Sequence, residues 1–253
     1  MIFRRTLMLF FIILLGTGCV QKKLARINER DSEAQALKKC LRLSEKKHFE
    51  EAVECLQIYK SQFPNSTYSQ EAELNIGDNY YRKKEYLLAA ESYKVFAQTN
   101  PASEKLDYAY YRMGLCYEKE MPKAIDRDQT YIKDATDSFH KVVEYFPQSS
   151  YAYMASAKYN QMRNREAKKH FYVGYFYYRT GEFRASIPRF RIIMEEFHDL
   201  PIAKDAHYHI AMAYAKLDRM DAARELATSF LEKYPSSRFA KKLSKKLLGD
   251  HHG

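Results

Sequence analysis

The sequence predicts an all-α protein, a superhelix of five helix pairs in which one long helix joins the third pair to the fourth. The first observation behind this prediction is a spacing of small, aromatic and proline residues that recurs five times. The second is that no segment sustains the alternation of apolar and polar residues that is typical of β-strands. The third is the scarcity of glycine, 8 in 253 residues, which leaves little room for flexible linkers.

The recurring spacing is the tetratricopeptide pattern of paired helices. Small residues allow the two helices of a pair to approach, so we expect Gly77 and Gly114 to face Ala89 and Ala135. Aromatic residues fill the surrounding space, and a proline ends the second helix. The five sets are Cys40, Leu43, Ala52, Leu56, Tyr59 and Pro64; Gly77, Tyr80, Ala89, Tyr93, Phe96 and Pro101; Gly114, Tyr117, Ala135, Phe139, Val142 and Pro147; Gly174, Tyr177, Ser186, Phe190, Ile193 and His198; and Ala211, Tyr214, Ala223, Ala227, Phe230 and Pro235.

The N-terminus predicts export and a lipid anchor. Arg4 and Arg5 precede nine apolar residues, 7–15, a run too short to span a bilayer, so residues 1–18 are interpreted as a signal peptide. Small residues directly before Cys19 resemble the bacterial lipoprotein cleavage box, which makes Cys19 the acylated first residue of a polar lead, 19–32. An ordinary secretory signal with an incidental cysteine is the alternative. By resemblance to bacterial sorting rules, the absence of aspartate after the cysteine favours the outer membrane.

Within the third pair, the stretch from 118 to 130 holds about nine residues more than the other pairs allow between their helices. We expect these residues, with Pro122 and the polar run 126–129, to form a projecting loop. The repeat period is 37 residues, as from Gly77 to Gly114, against about 34 for the usual repeat.

A second insertion follows the third pair, where the register advances by 51 residues, from Pro147 to His198. The surplus of 14 is close to four turns of about 3.6 residues. It predicts one helix from about 150 to 179, capped by Ser149 or Ser150 and ended by Gly181. This helix divides the predicted domains, which are a three-repeat unit at 33–149, a two-repeat unit with the long helix at 150–248, and a tail at 249–253.

The formal charge of +10 falls to +8 once Arg4 and Arg5 leave with the signal. Lysines at 241, 242, 245 and 246 hold much of it. A basic surface can bind nucleic acid, but an exported, anchored chain is not expected to meet any. The basic surface could bind anionic lipid headgroups, bind acidic partners or only be solvated, and these three interpretations stay open.

The spacing of cysteine and histidine residues argues against catalysis and metal binding. Cys40 and Cys55 lie on the two helices of the first pair and could be neighbours, although buried free thiols are favoured, and Cys116 has no obvious partner. His207 and His209 are two apart and face different ways on a helix, and neither a nucleophile elbow nor paired metal-ligand cysteines occur in the sequence. We therefore expect no catalysis, cofactor or metal.

The first helix of each pair is expected to line a concave groove that Asp78 also faces. The chain has 22 tyrosines and no tryptophan, and tyrosine offers an apolar face with a hydrogen-bonding tip. Such a groove suits extended, aromatic-rich peptides, although some of the rings are expected only to pack on neighbouring repeats. The candidate residues are Tyr81, Arg82, Tyr108, Tyr111, Tyr175 and Tyr178.

A lipoprotein signal followed by five repeats is combined here with FPNSTY at 63–68, DYAYYRMG at 107–114, DRDQ at 126–129 and FPQSSY at 146–151. This combination resembles the BamD (ComL) family, lipoproteins of the outer-membrane β-barrel assembly machine. The resemblance implies a periplasmic scaffold on the outer membrane that docks on the POTRA domains of BamA and helps receive unfolded outer-membrane proteins. Other Bam lipoproteins are further implied partners. In that family the C-terminal repeats contact BamA and the first three are linked to substrate recognition.

The resemblance also gives one residue a role. Arg189 matches an arginine that pairs with an acidic group on BamA, although it could be only a surface charge, and Pro188 beside it is expected to kink the helix. A different function stays open: a repeat lipoprotein adaptor for peptidoglycan enzymes or cell division.

Overall fold

The computed structural model describes residues 27–249, where every regular element is a helix. The all-α prediction is confirmed, and the last helix continues into a π-helical turn over Ser244–Leu248. The helices are α1 (Glu33–Glu45), α2 (Phe49–Gln62), α3 (Ser69–Arg82), α4 (Tyr86–Thr99), α5 (Leu106–Glu120), α6 (Ile132–Tyr145), α7 (Ala152–Arg179), α8 (Phe183–Glu196), α9 (Ile202–Lys216), α10 (Met220–Lys233) and α11 (Arg238–Leu243).

The helices stack in chain order, each packing against the next. Buried apolar side chains between residues 27 and 249 accordingly form local clusters along the stack rather than one central core. Four of the turns inside a pair contain a residue in the left-handed region, which lets the chain reverse in three residues. These residues are Lys47, Lys84, Gly181 and Asp218, with φ of 63°, 66°, 85° and 60°.

A serine fastens each of the first three turns between pairs. The Ser66 hydroxyl accepts the Tyr68 N–H at 3.1 Å and donates to the Glu33 carboxylate at 2.8 Å, on the first helix of the preceding pair. Two further turns repeat this arrangement, in which Ser103 and Ser149 accept the N–H groups of Lys105 and Tyr151 and donate to Gln70 and Asp107. Ser149 therefore supports the turn, and the prediction that it or Ser150 caps α7 is wrong, because α7 begins at Ala152 with no side-chain cap.

The recurring glycines make room for aromatic rings of the second helix of each pair. A Cβ added at Gly77 would lie 2.8 Å from the Tyr93 ring, and one at Gly114 would lie 2.7 Å from the Phe139 ring. The nearest atoms thus belong to aromatic side chains of the second helix, Tyr93 and Phe139. Each glycine admits a ring to the helix surface, where Tyr93 and Phe139 are fully buried.

The first pair differs, because Cys40 takes the position that Gly77 has in the second. Cys40 is joined to Cys55 by a disulfide, with a Cα–Cα distance of 5.3 Å, which corrects the expectation of free thiols. The two helices bring these residues within bonding distance through a turn of only three residues. Cys116 is free and buried.

The insertion in the third pair occupies residues 121–131, but it does not project. Arg165 of α7 donates to the carbonyl oxygens of Pro122 and Lys123 and, through Nε at 2.6 Å, to the side-chain oxygen of Gln129. Gln129 is buried and its amide donates to the Ala124 carbonyl at 3.0 Å. The loop therefore lies pinned on the long helix, because α7 extends far enough to offer it a donor.

Helix α7 has 28 residues, about 42 Å at 1.5 Å per residue, which confirms the predicted long helix. Pro188 lies inside α8, which nevertheless runs unbroken from Phe183 to Glu196. The Ser186 hydroxyl donates to the Phe183 carbonyl at 2.8 Å in the turn just before the proline. Pro188 is the sixth residue of α8, so it removes one backbone hydrogen bond, to the Arg184 carbonyl, and the helix continues on both sides of it.

Candidate functional site

Asp78 on α3 is the centre of a polar network that joins three helices. Its Oδ1 accepts the hydroxyls of Tyr93, on α4, at 2.6 Å and of Tyr108, on α5, at 2.5 Å. The Arg112 guanidinium lies 3.3 Å from the same oxygen, and its Nε–H donates to the Tyr93 hydroxyl at 3.1 Å. Burial, and then the Asp78 charge, raise the pKa of both phenols, so both remain protonated donors.

Aromatic rings enclose the cation of this network. The Arg112 guanidinium carbon lies 4.0 Å from the centre of the Tyr81 ring and 5.8 Å from the rings of Tyr93 and Tyr108. The side chains of Arg112 and Asp78 are only 18% and 20% exposed, so neither charge is free for an external partner. The result is a rigid, internally neutral platform on α3 and α5.

A further ring beside this platform comes from Tyr151, directly before α7. Tyr151 stacks on Tyr111 with ring centres 5.4 Å apart and contacts Tyr108 at 5.5 Å. A cavity of about 700 Å³ lies beside Tyr108 and Tyr151, between α3, α5 and the turns that precede α3, α5 and α7. Its lining consists of Thr67, Gln70, Glu71, Leu74, Asn75, Asp78, Glu104, Lys105, Asp107, Tyr108, Ser150 and Tyr151.

The structure brings Tyr81, Tyr108 and Tyr111 into one region. Part of each ring contacts Arg112, Asp78 or Tyr151, so these tyrosines also pack on neighbouring repeats, as was expected of some of them. Arg82 lies elsewhere. It is exposed at the end of α3, with its guanidinium 6.0 Å from the ring of Phe49 on α2.

Tyr175 and Tyr178 belong to a separate cluster around His209. The His209 ring lies 5.3 Å from Tyr175 and 5.2 Å from Tyr178, with further rings from Phe171, Phe190 and Tyr208 at 5.1 to 5.4 Å. Its Nδ1–H donates to the Asp205 carbonyl at 2.7 Å, and burial lowers its pKa, so the ring is neutral near pH 7. These two tyrosines therefore do not share a surface with Tyr108.

Arg189 is exposed on α8 and lines a cavity of about 290 Å³ between the 121–131 loop and α7. Lys169, His170 and Glu166 line the same cavity. Burial, and then the charge of Arg189, lower the pKa of His170. Within residues 27–249 Arg189 forms no ion pair, so its charge faces solvent.

Three members of the site are not among the residues predicted from the sequence: the hydroxyl of Tyr93, Arg112 and Tyr151. The repeat pattern assigns Tyr93 to packing and Tyr151 to the turn. Arg112 follows Tyr108 by four residues, which places both on one face of α5 and is the signal that could have found it.

The remaining points are the lipid attachment site, metal binding and membrane-spanning helices. Cys19 lies outside the described residues, so the lipid site stays a prediction. Across residues 27–249 no cluster of histidine, cysteine and acidic side chains could hold a metal ion. In the same range no helix has the length and apolar character that crossing a membrane requires.

Stacked helix pairs with a groove lined by their first helices define a tetratricopeptide-like repeat protein, a scaffold class. The family model described as YfiO, outer membrane lipoprotein, matches residues 29–229, and the chain belongs to this family. The family resemblance of the sequence motifs is thereby confirmed.

Relatives in this family carry the name outer membrane protein assembly factor BamD. The protein of Neisseria meningitidis serogroup B is 25% identical over 203 residues, covering 77% of this chain and 76% of the relative. That of Rickettsia prowazekii is 26% identical over 197 residues and covers 78% of each chain. That of Vibrio cholerae is 27% identical over 180 residues, 68% of this chain and 75% of the relative.

Solved structures similar to this chain are also repeat proteins. A thermophilic TPR protein of Thermus thermophilus is 15% identical with a TM-score of 0.38, covering 86% of this chain and all of that one. The TPR2AB domain of yeast Sti1 is 15% identical with a TM-score of 0.44, covering 83% of this chain and 81% of that one.

Proposed function

We propose that this chain is a lipid-anchored periplasmic scaffold of outer-membrane protein assembly, which docks on BamA and receives unfolded outer-membrane proteins. The observation that carries the proposal is family membership over residues 29–229, with relatives named as assembly factors over about three quarters of their length. The groove and the exposed Arg189 supply surfaces for the two polypeptide partners.

The groove supports the binding of an unfolded substrate. Its walls are held by the Asp78 network and by the stack of Tyr151 on Tyr111, so the surface is ordered before a ligand arrives. Preorganisation lowers the entropic cost of binding, and tyrosine faces suit aromatic side chains of an extended segment. We place the precursor along α3 and α5, beside Tyr81, Tyr108 and Tyr111.

The second surface supports docking on BamA. Arg189, Lys133 and Lys169 bring three cations to the cavity beside the pinned loop, against the two carboxylates of Asp128 and Glu166. An acidic group of a POTRA domain would find an exposed guanidinium there. Helix α7 begins directly after Tyr151, at the groove, and its residues Glu166, Lys169 and His170 line this cavity, so one helix connects both surfaces. The two-unit division of the chain at about residue 150 is part of the same proposal.

The anchor sets the position of the first repeat. From Cys19 to Ile27 the chain has eight steps, at most about 28 Å when fully extended. Ile27 packs against the first core cluster, so acylation of Cys19 would hold the first helix pair within that distance of the outer membrane.

A pull-down from detergent-solubilised envelope tests the docking assignment. Arg189→Glu should reduce the recovery of BamA about tenfold or more, because a carboxylate replaces a partner's counter-ion. Arg184→Glu, at an exposed arginine on the same helix, is the matched control and should leave recovery unchanged. Equal recovery with both variants would remove Arg189 from the interface. Recovery of peptidoglycan hydrolases or synthases without BamA would support the adaptor function instead.

Crosslinking to an unfolded barrel precursor tests the groove. The pair Tyr108→Ala and Tyr111→Ala should lower the yield, whereas Tyr145→Ala, at a ring 62% exposed on α6, should not. A full yield from the double variant would place the substrate elsewhere. Circular dichroism of each variant separates loss of binding from loss of folding.

A further inference from the structure

The last helix of the stack carries positive charge on its outer face. It runs without a break from Arg238 through the π-helical turn that ends at Leu248. Its exposed charged side chains are spaced three and four residues apart, so they form one stripe about 12 Å long. The members of this cationic stripe are Arg238, Lys241, Lys242, Lys245 and Lys246.

The opposite face of this helix fixes it on the fifth pair. Phe239, Leu243 and Leu247 are buried. The Phe239 ring stacks on the Tyr208 ring of α9 with ring centres 4.3 Å apart. Arg224 of α10 donates from Nε to the Leu247 carbonyl at 3.3 Å. Because the helix is docked in this way, the five cations are held on one side of the molecule before any ligand binds.

The cationic stripe contains only one sign of charge. No aspartate or glutamate occurs from 233 to 249, and none of the five cations forms an ion pair with any residue from 27 to 249. A terminal helix needs only a polar outer face to stay soluble, and mixed charges supply one. The uniform charge therefore favours an anionic ligand over solvation alone. The neighbouring α10 does mix both signs at its exposed charged positions, which are Asp221, Arg224, Glu225, Glu232 and Lys233.

Three properties favour an anionic membrane over an acidic protein as this ligand. Four of the five cations are lysines, which act as flexible point charges, whereas arginine is the side chain that pairs bidentately with carboxylates. Protein interfaces have an apolar centre and are depleted of lysine, but the apolar side chains from 238 to 248 are buried or, at Leu248, half-buried. The proposed acyl group on Cys19 would already hold the chain at a membrane, which raises the local concentration of headgroups.

We propose that the cationic stripe binds the anionic headgroups of phospholipids and gives the chain a second contact with the membrane that holds its anchor. Each lysine near an anionic surface adds to the attraction, which decays within a Debye length of about 8 Å at physiological salt. The proposed anchor precedes the first pair and the stripe follows the fifth, so the two contacts lie at opposite ends of the stack and orient it along the membrane. This inference uses the anchor of the proposed function and adds a site separate from the groove and from Arg189.

Amine labelling of the full processed chain, purified from membranes and reconstituted in vesicles, tests the proposal lysine by lysine. The vesicles consist of phosphatidylcholine alone or with one third phosphatidylglycerol, and mass spectrometry measures how fast each lysine is modified. We expect phosphatidylglycerol to slow the labelling of the four lysines about three- to tenfold relative to Lys168, an exposed lysine on α7. Raising the salt concentration should remove this protection.

Variants of the chain locate the effect. Lys245→Gln combined with Lys246→Gln should abolish most of the protection of the two lysines that remain in the stripe. The matched control is Lys46→Gln combined with Lys47→Gln, at an exposed pair of lysines in the turn of the first helix pair, and it should preserve the protection. Circular dichroism verifies that both variants fold.

Two outcomes would overturn the proposal. Equal labelling in the two kinds of vesicle would leave the stripe merely solvated. Protection by soluble polyglutamate, without protection by phosphatidylglycerol, would assign the stripe to an acidic polypeptide instead. Flotation with pure phosphatidylcholine vesicles tests the anchor separately, because that lipid has no net charge, so a failure of the anchor is distinguished from a failure of the headgroup site.

Discussion

Replacement of Asp78 by asparagine tests whether charge holds the tyrosine platform together. Asparagine keeps an oxygen near the hydroxyls of Tyr93 and Tyr108, but it removes the negative charge that both hydroxyls and Arg112 share. A hydrogen bond to a charged group contributes about 1 kcal/mol more than a neutral one, so the two hydroxyls lose about 2 kcal/mol together. Arg112, 18% exposed, is left without its counter-ion, which adds about 1 kcal/mol.

The expected decrease in the free energy of unfolding is therefore about 3 kcal/mol. Urea unfolding followed by far-ultraviolet circular dichroism measures it as a lower midpoint. Asp221→Asn is the matched control, because that side chain is fully exposed and its ion pair with Arg224 is a distant contact of 3.9 Å. If Asp78→Asn cost no more than Asp221→Asn, water would be screening the network, and the argument for a rigid platform would fail.

Three other predictions concern parts of the molecule outside the groove. Reduction of the disulfide between Cys40 and Cys55, separated by 15 residues, should lower the free energy of unfolding by about 3 kcal/mol, and an unchanged melting temperature in dithiothreitol would contradict this. Burial lowers the pKa of His207, so below pH 6.5 the unfolded chain takes up a proton that the folded chain does not. The free energy of unfolding should therefore fall as the pH drops below about 6.5, by up to about 1.4 kcal/mol per pH unit. Denaturant titrations of His207→Leu should show a weaker dependence of this free energy on pH. Arg165→Ala should release the 121–131 loop, which limited trypsin digestion would detect as faster cleavage there, and equal cleavage rates would refute the pinning role.

Local patterns predicted the helices well because helix formation depends on neighbours in sequence. The predicted long helix, from about 150 to 179, differs from the observed α7 only by a start two residues later. The 14 surplus residues are close to four whole helical turns, so a continuous helix keeps the same face inward. This count was enough to predict one long helix. Similar reasoning placed an insertion between α5 and α6, where the structure has the 121–131 loop.

Contacts between distant residues were harder to predict. Periodicity indicates which face of a helix is buried, but it does not indicate which partner each side chain meets. Asp78 was expected to face the groove, yet its binding to Tyr108 and Arg112 depends on residues 30 and more positions away. The loop was expected to project because nothing local shows that Arg165 lies within reach of its carbonyls.

Spacings along the chain were enough to predict the all-helical stack, its five repeats, the position of the long helix and the family resemblance. Three features became visible only in the folded chain: Cys40 is bonded to Cys55, the 121–131 loop lies on α7, and Arg112 is enclosed by rings and a carboxylate. The physical reason is that hydrogen bonds, ion pairs and disulfides need atoms to meet within a few ångströms. Only the packing of one helix pair on the next brings such atoms together.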